Sequence, residues 1–160
     1  MIAWVNGQPA SRLSVADRGL AYGDGVFETM RVEKGKVARL ELHLARLSLG
    51  CQRLHIPIDV SQLADEIRRF CRQVETQATC KLIVTRGVGQ RGYAAPNNVQ
   101  PQRVLQLSEL PAWPSQNTQQ GVRLFACQTR LSRQPLLAGN KHLNRLEQVM
   151  ARDEWQGDDF

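Results

Sequence analysis

No stretch of this chain is apolar for long enough to cross a bilayer, and its first residues, Met-Ile-Ala-Trp-Val-Asn-Gly, lack the basic region and apolar run of a secretory signal. The expectation is a cytoplasmic protein with no membrane partner. Cysteine is sparse: Cys51, Cys71, Cys80 and Cys127 form no C-x-x-C pair. His43, His55 and His142 make no ligand spacing with those cysteines or with one another, so no metal is expected. Cys51 and Cys71 fall within apolar helical patterns and read as buried, reduced thiols. Lysine is scarce too, at Lys34, Lys36, Lys81 and Lys141. The net charge of +6 therefore rests on scattered arginines interleaved with acids rather than on a basic block. With no helix-turn-helix pattern and no aromatic-glycine RNA signature, nucleic acid is not an expected partner. A basic surface with internal arginines suits a small anionic ligand better.

What is present fits a globular chain. At 160 residues, 42% hydrophobic and 22% charged, it can build one domain with a core, or one domain and part of another. Residues 2–10 read as a strand broken by the Asn6-Gly7 turn, and Val26–Glu33 as a strand leading through Lys34-Gly35 into a second short strand around Val37–Leu40. Leu40, Leu44, Leu47, Cys51 and Leu54 recur at helical spacing, which predicts a helix over Glu41–Leu54 ended by Pro57. Ser61 is the expected N-cap of a second helix reaching Val74, with Leu63, Ile67, Phe70 and Val74 on one face. Strands are expected at Cys80–Thr85 and Arg103–Leu110. Pro111, Pro114 and the polar residues after them mark a linker over 111–120. Beyond it, Val122–Cys127 reads as a strand and Leu143–Trp155 as a helix. The fold class is α+β: a unit over residues 1–110, then the opening of a second unit over 121–160.

Three stretches carry chemistry. In "KLIVTRGVGQRGYAAPNN", an apolar strand runs into Gly87-x-Gly89-x-x-Gly92, the spacing of a dinucleotide fingerprint. That fingerprint needs its last glycine to open a helix whose N-terminus binds pyrophosphate. Tyr-Ala-Ala-Pro-Asn-Asn follows instead, so the segment is strand, loop, strand, and no nucleotide site is expected. What is left is a loop bearing Arg86, Arg91 and Tyr93, either an exposed hairpin or a wall offering guanidinium groups to carboxylates. In "RGLAYGDGVFETMRV", Gly23-Asp24-Gly25 makes a tight turn before a strand, on its own a structural feature. In "LAGNKHLNRLEQV", Lys141 lies between a loop and a helix. A lone lysine is normally a solvated charge. One seated in a partly apolar site can shed its proton near neutral pH and serve as a nucleophile or base.

Taken together, "DRGLAYGDGVFETMRVEKGKVARLELHLARL" resembles the N-terminal signature of the branched-chain-aminotransferase-like enzymes, fold type IV of the pyridoxal-phosphate enzymes. Within that family "TRGVGQRGY" and "AGNKHLNRLEQV" are similar to the aminodeoxychorismate lyases. The resemblance covers nearly the whole chain and is weakest around 56–78. It implies pyridoxal 5'-phosphate as cofactor, a homodimer, and a two-domain fold of which residues 1–110 supply the two-layer α/β domain. It also implies that Lys141 is the lysine joined to the cofactor and that Arg46 binds its phosphate. Phe27 becomes a pocket-wall aromatic, and Arg86, Arg91 and Tyr93 border the substrate. The implied reaction turns 4-amino-4-deoxychorismate into 4-aminobenzoate and pyruvate, a step toward folate.

In the resembled family the second domain is about as long as the first and supplies a carboxylate facing the cofactor ring nitrogen. This chain stops at "ARDEWQGDDF", so the expectation is a portion of a longer enzyme. Two alternatives stand beside the lyase: a D-amino-acid or branched-chain aminotransferase of the same fold, and a truncated, non-catalytic dimerisation module.

Overall fold

The computed structural model describes residues 2–155. Two strands, β1 (Ile2–Val5) and β2 (Gln8–Pro9), form the first hairpin, and Asn6 and Gly7 both adopt positive φ at its turn. A short helix α1 (Arg18–Tyr22) leads into β3 (Gly25–Glu33), which pairs with β4 (Lys36–Val37) across Lys34-Gly35, again with both turn residues at positive φ. Mirror-image turns of this kind match the twist of the strands they join. Helices α2 (Leu40–Arg53) and α3 (Val60–Cys71) follow, then β5 (Gln77–Thr85) and β6 (Gln102–Ser108). Two further helices, α4 (Gln116–Gln120) and α5 (Leu146–Asp153), complete the described elements. The sheet has the order β2-β1-β6-β5-β3-β4, and every pairing is antiparallel.

Strand alternation divides the sheet into two unlike faces. Val26, Met30 and Val32 of β3, Cys80, Leu82 and Val84 of β5, and Leu105 and Leu107 of β6 are buried against Leu44, Leu47 and Cys51 of α2 and Leu63, Ile67 and Phe70 of α3. This is the core, and it makes a two-layer α/β unit. The alternate residues, among them Phe27, Thr29, Lys81 and Ile83, lie on the opposite face, where the site is built.

Several boundaries differ from expectation. Asp59, not Ser61, caps α3: its carboxylate accepts from the Gln62 amide at 3.0 Å, while the Ser61 hydroxyl itself donates to Asp59. A carboxylate two residues earlier outcompetes the hydroxyl for the free amides of the first turn. Helix α3 ends at Cys71, short of Val74, which is buried all the same. Strand β4 stops at Val37, and Leu40 begins α2. Residues 122–127 join no ladder among the described residues. Helix α5 starts at Leu146, because the residues before it are committed elsewhere. The Phe27 amide donates to the Lys141 carbonyl at 2.9 Å and the Leu143 amide to the Gly25 carbonyl at 3.0 Å. That pairing occupies the edge of β3 left open beyond the short β4.

Candidate active site

Adding residues 141–143 to the edge of β3 brings Lys141 beside Phe27, which alternation turns to the open face of the sheet. The Lys141 Nζ stands 4.2 Å from the Phe27 ring centroid, with the Lys81 Nζ and the Arg145 guanidinium carbon each at 5.5 Å. One aromatic ring thus has three cationic groups close to it, an arrangement its quadrupole tolerates. Arg145 also donates to the His142 and Asn140 carbonyls, at 2.9 and 3.2 Å, and so wraps the backbone on either side of Lys141. The Lys141 amine is held below the usual lysine range. Burial is the main cause; Glu28 opposes it, while Arg46, Arg145 and Lys81 reinforce it.

The next residue of β3 points the other way. Glu28 is buried among the core positions, and its Oε1 accepts from Arg46 Nε at 2.7 Å. Its Oε2 accepts from Arg46 Nη2 at 2.6 Å and lies 2.8 Å from His43 Nδ1. This two-pronged pairing sets the plane of the Arg46 guanidinium. Burial pushes the Glu28 carboxyl upward, yet the hydrogen bonds from Arg46 and His43 prevail and hold it below the usual range. Half of the Arg46 side chain is exposed, and only Nε and Nη2 are engaged with Glu28.

The glycine loop is organised by two arginines. Arg86 turns inward: it donates to both Asp24 oxygens, at 2.7 and 3.0 Å, and to the Leu54 and His55 carbonyls at the end of α2. Arg86, expected to border a substrate, here engages its donors in bracing the loop root. Arg18 reaches the same Asp24 and the carbonyls of Gly92, Tyr93 and Ala94. The Asp24 carboxyl is pushed up by burial but is held low by its bonds to Arg86 and Arg18. Arg91 and Tyr93 stay exposed. The Tyr93 ring lies 5.5 Å from that of Tyr22, whose hydroxyl accepts from the Gly92 amide at 3.1 Å. Tyr22 precedes Gly23, where an added Cβ would sit 2.1 Å from Asn144 Oδ1, so the loop and the Lys141 segment meet at this turn.

The structure therefore brings together Phe27 and Lys141, with Arg46 in electrostatic range of that amine, and places Arg91 and Tyr93 in the adjoining loop. Sequence reasoning missed Arg18, Asp24, Glu28, Lys81 and Arg145. One signal was available for Glu28: alternation along β3 puts a carboxylate in the apolar row of Val26, Met30 and Val32, and such a group needs a charged partner. Around Lys141, Arg46, Arg145 and Lys81 are opposed by the single carboxylate of Glu28, which is already engaged, and the buried Asn140 Nδ2 and His142 Nδ1 have no hydrogen-bond partner among the described residues. This donor set fits a phosphate-bearing aldehyde: guanidinium for the phosphate and a deprotonation-prone amine for the carbonyl.

A family model described as amino-transferase class IV matches residues 25–160. The chain is 35% identical over 157 residues to an aminodeoxychorismate lyase of Vibrio harveyi, covering 98% of this chain and 58% of that protein. A crystal structure of 4-amino-4-deoxychorismate lyase from Pseudomonas aeruginosa is similar at a TM-score of 0.95 and 57% identity, over 99% of this chain and 58% of that one. A putative branched-chain-amino-acid aminotransferase of Methanocaldococcus jannaschii is 39% identical over 85 residues, covering 51% of this chain and 30% of that protein. The chain thus spans somewhat over half the length of the two lyases it matches. With the fold, the Lys141 environment and the matched family model in agreement, this chain belongs to the amino-transferase class IV family.

Proposed function

We propose that the chain is part of a pyridoxal-phosphate enzyme that converts 4-amino-4-deoxychorismate to 4-aminobenzoate and pyruvate. The observation that carries this reading is the Lys141 amine, seated on Phe27 with its pKa lowered and with Arg46 nearby. The choice of lyase over aminotransferase is supported by similarity to two lyases across nearly the entire chain. Lys141 is assigned the covalent attachment to the cofactor, Arg46 the phosphate, and Phe27 the wall beneath them. Arg91 and Tyr93 are assigned the substrate side. A homodimer in the cytoplasm, with residues 1–110 as one domain, 111–120 as linker and 121–160 within a second, completes the proposal.

Pyridoxal phosphate, when bound, supplies an aldehyde that condenses with amines and a ring that accepts electrons. Lys141 does the proton work. Its neutral Nζ takes the ring proton from the carbon that bears the substrate nitrogen. The bond from the neighbouring ring carbon to the enolpyruvyl oxygen then breaks, the ring becomes aromatic, and the departing enol is protonated by Lys141 at its methylene carbon to give pyruvate. Arg46 holds its plane because Glu28, itself held by His43, accepts from both its Nε and its Nη2. The basic mouth favours a substrate with two carboxylates.

The test is the product formed with cofactor supplied. Pyruvate is expected in step with 4-aminobenzoate, and Lys141→Ala should lower its release by on the order of a thousandfold, as loss of a general acid–base does. Amino-group transfer to a keto acid without pyruvate would favour the aminotransferase reading. A colourless protein with neither activity would favour a non-catalytic module.

A further inference from the structure

The segment from Gly89 to Ala94 has no helix or strand of its own, and its backbone carbonyls converge on one side chain. Arg18 is 5% exposed. Its Nη1 donates to the Gly92 carbonyl at 3.0 Å and the Ala94 carbonyl at 3.1 Å, and its Nη2 to the Tyr93 carbonyl at 2.9 Å. Nε donates to Asp24 Oδ2 at 2.9 Å, and the guanidinium lies 4.9 Å from the centre of the Tyr22 ring. The side-chain stem passes where Gly89 leaves room: a Cβ there would come within 2.8 Å of Arg18 Cδ. Three consecutive carbonyls of an exposed loop would otherwise turn to water. A planar fork with divergent donors can collect all three, and a lysine ammonium, a point donor on a flexible stem, cannot. Arg18 and Arg86 share the carboxylate of Asp24, which ties the loop to the α1 turn.

We propose that Arg18 is a positioning residue for substrate selection. By pinning the carbonyls of residues 92–94, its guanidinium seats Tyr93 on Tyr22 and sets the path of the backbone that carries the exposed Arg91. That fixes which anionic substrate the mouth accepts. The substrate side of this inference rests on the lyase reading above; the loop anchoring does not.

Arg18→Lys keeps the charge and the pair with Asp24 but loses the fork. Gly89→Ala pushes on the Arg18 stem from outside, and so serves if the first variant folds poorly. Two measurements are made on wild type and both variants. Limited trypsin digestion, followed by mass spectrometry, reads cleavage after the exposed Arg91. Steady-state kinetics of pyruvate release from 4-amino-4-deoxychorismate read KM against kcat. Cleavage after Arg91 should rise roughly tenfold in both variants, and KM should rise roughly tenfold with kcat nearly unchanged, the scale of one or two lost hydrogen bonds. Unchanged cleavage, or a loosened loop with unchanged KM, overturns the proposal. If wild type releases no pyruvate, the lyase reading falls, while variant-specific cleavage after Arg91 still supports the anchoring and equal cleavage still overturns it.

Discussion

Glu28 is withdrawn from water on the helix face of β3, where an unpaired carboxylate costs several kcal/mol. Arg46 and His43 complete its hydrogen bonding, and in return Glu28 decides how Arg46 is presented. Glu28→Gln removes the charge, keeps the shape and leaves the guanidinium with a neutral partner. Because Arg46 is half exposed, the cost falls toward the low end of a broken buried pair, about 2–3 kcal/mol by urea denaturation. A loss under about 0.5 kcal/mol would show that the pair is ornamental. The pH dependence has a definite sign. The Glu28 and Asp24 carboxyls are depressed in the folded state, so their contribution is complete above their ordinary values of 4.5 and 3.8. It is lost as pH falls through the lower folded values. Wild type should therefore lose stability more steeply below about pH 4.5 than Glu28→Gln does, as read from urea midpoints across that range. Of the proposed site residues, Lys141, Phe27 and Arg46 could be nominated from the sequence because each sits in a contiguous motif. Glu28 and Arg46 stand 18 positions apart, and Asp24 and Arg86 stand 62 apart. No local pattern reports partners across such separations, which is why the pairing of Arg86 with Asp24 was not readable.

Among the elements, what depends on short-range backbone chemistry was readable. Both two-residue hairpins announce themselves through Asn-Gly and Lys-Gly, and α2 through its apolar spacing. The departures come where tertiary contacts decide: by pattern Leu143 opens the last helix, yet its amide donates to the Gly25 carbonyl and the backbone of 141–143 completes the β3 edge. Helix α1 was missed because its five residues are too few for a period. Its signals are Asp17, which accepts from the Gly19 and Leu20 amides, and Gly23, which closes it in the left-handed region. The glycine loop contains its own control. Gly87 has φ of +91°, and an added Cβ would lie 1.9 Å from the Gln100 carbonyl oxygen, which is backbone and cannot step aside. Gly92 has φ of +110° with open space around it. Gly87→Ala should cost at least about 2 kcal/mol, from the left-handed conformation plus the collision, and Gly92→Ala only the conformational part, about 1 kcal/mol. Thermal midpoints of the two variants measure the difference; equal shifts would mean that the strand end relaxes around the new methyl.

At the scale of the whole molecule, the sheet is a partition. Its helix face is consumed by the core, and its other face collects cations that arrive from three distant parts of the chain: Lys81 from β5, and Lys141 and Arg145 from the segment preceding α5, with Arg46 reaching the edge from α2. Only the folded chain assembles this group, so a reagent that needs both an amine and an anion site distinguishes assembly from mere exposure. Pyridoxal phosphate followed by borohydride is such a reagent, since it leaves a stable tag on whichever lysine condenses. Exposure favours Lys34, Lys36 and Lys81 over the half-buried Lys141. Chemistry favours Lys141, because a lowered pKa gives a larger share of neutral amine at pH 8 and Arg46 draws the phosphate toward it. Peptide mapping at pH 8 should find Lys141 tagged at least about tenfold ahead of the other three in wild type. Arg46→Gln should cut that preference several-fold, and urea should abolish it. A tag spread evenly over the four lysines in the folded protein would mean that the cations share a face without forming a site.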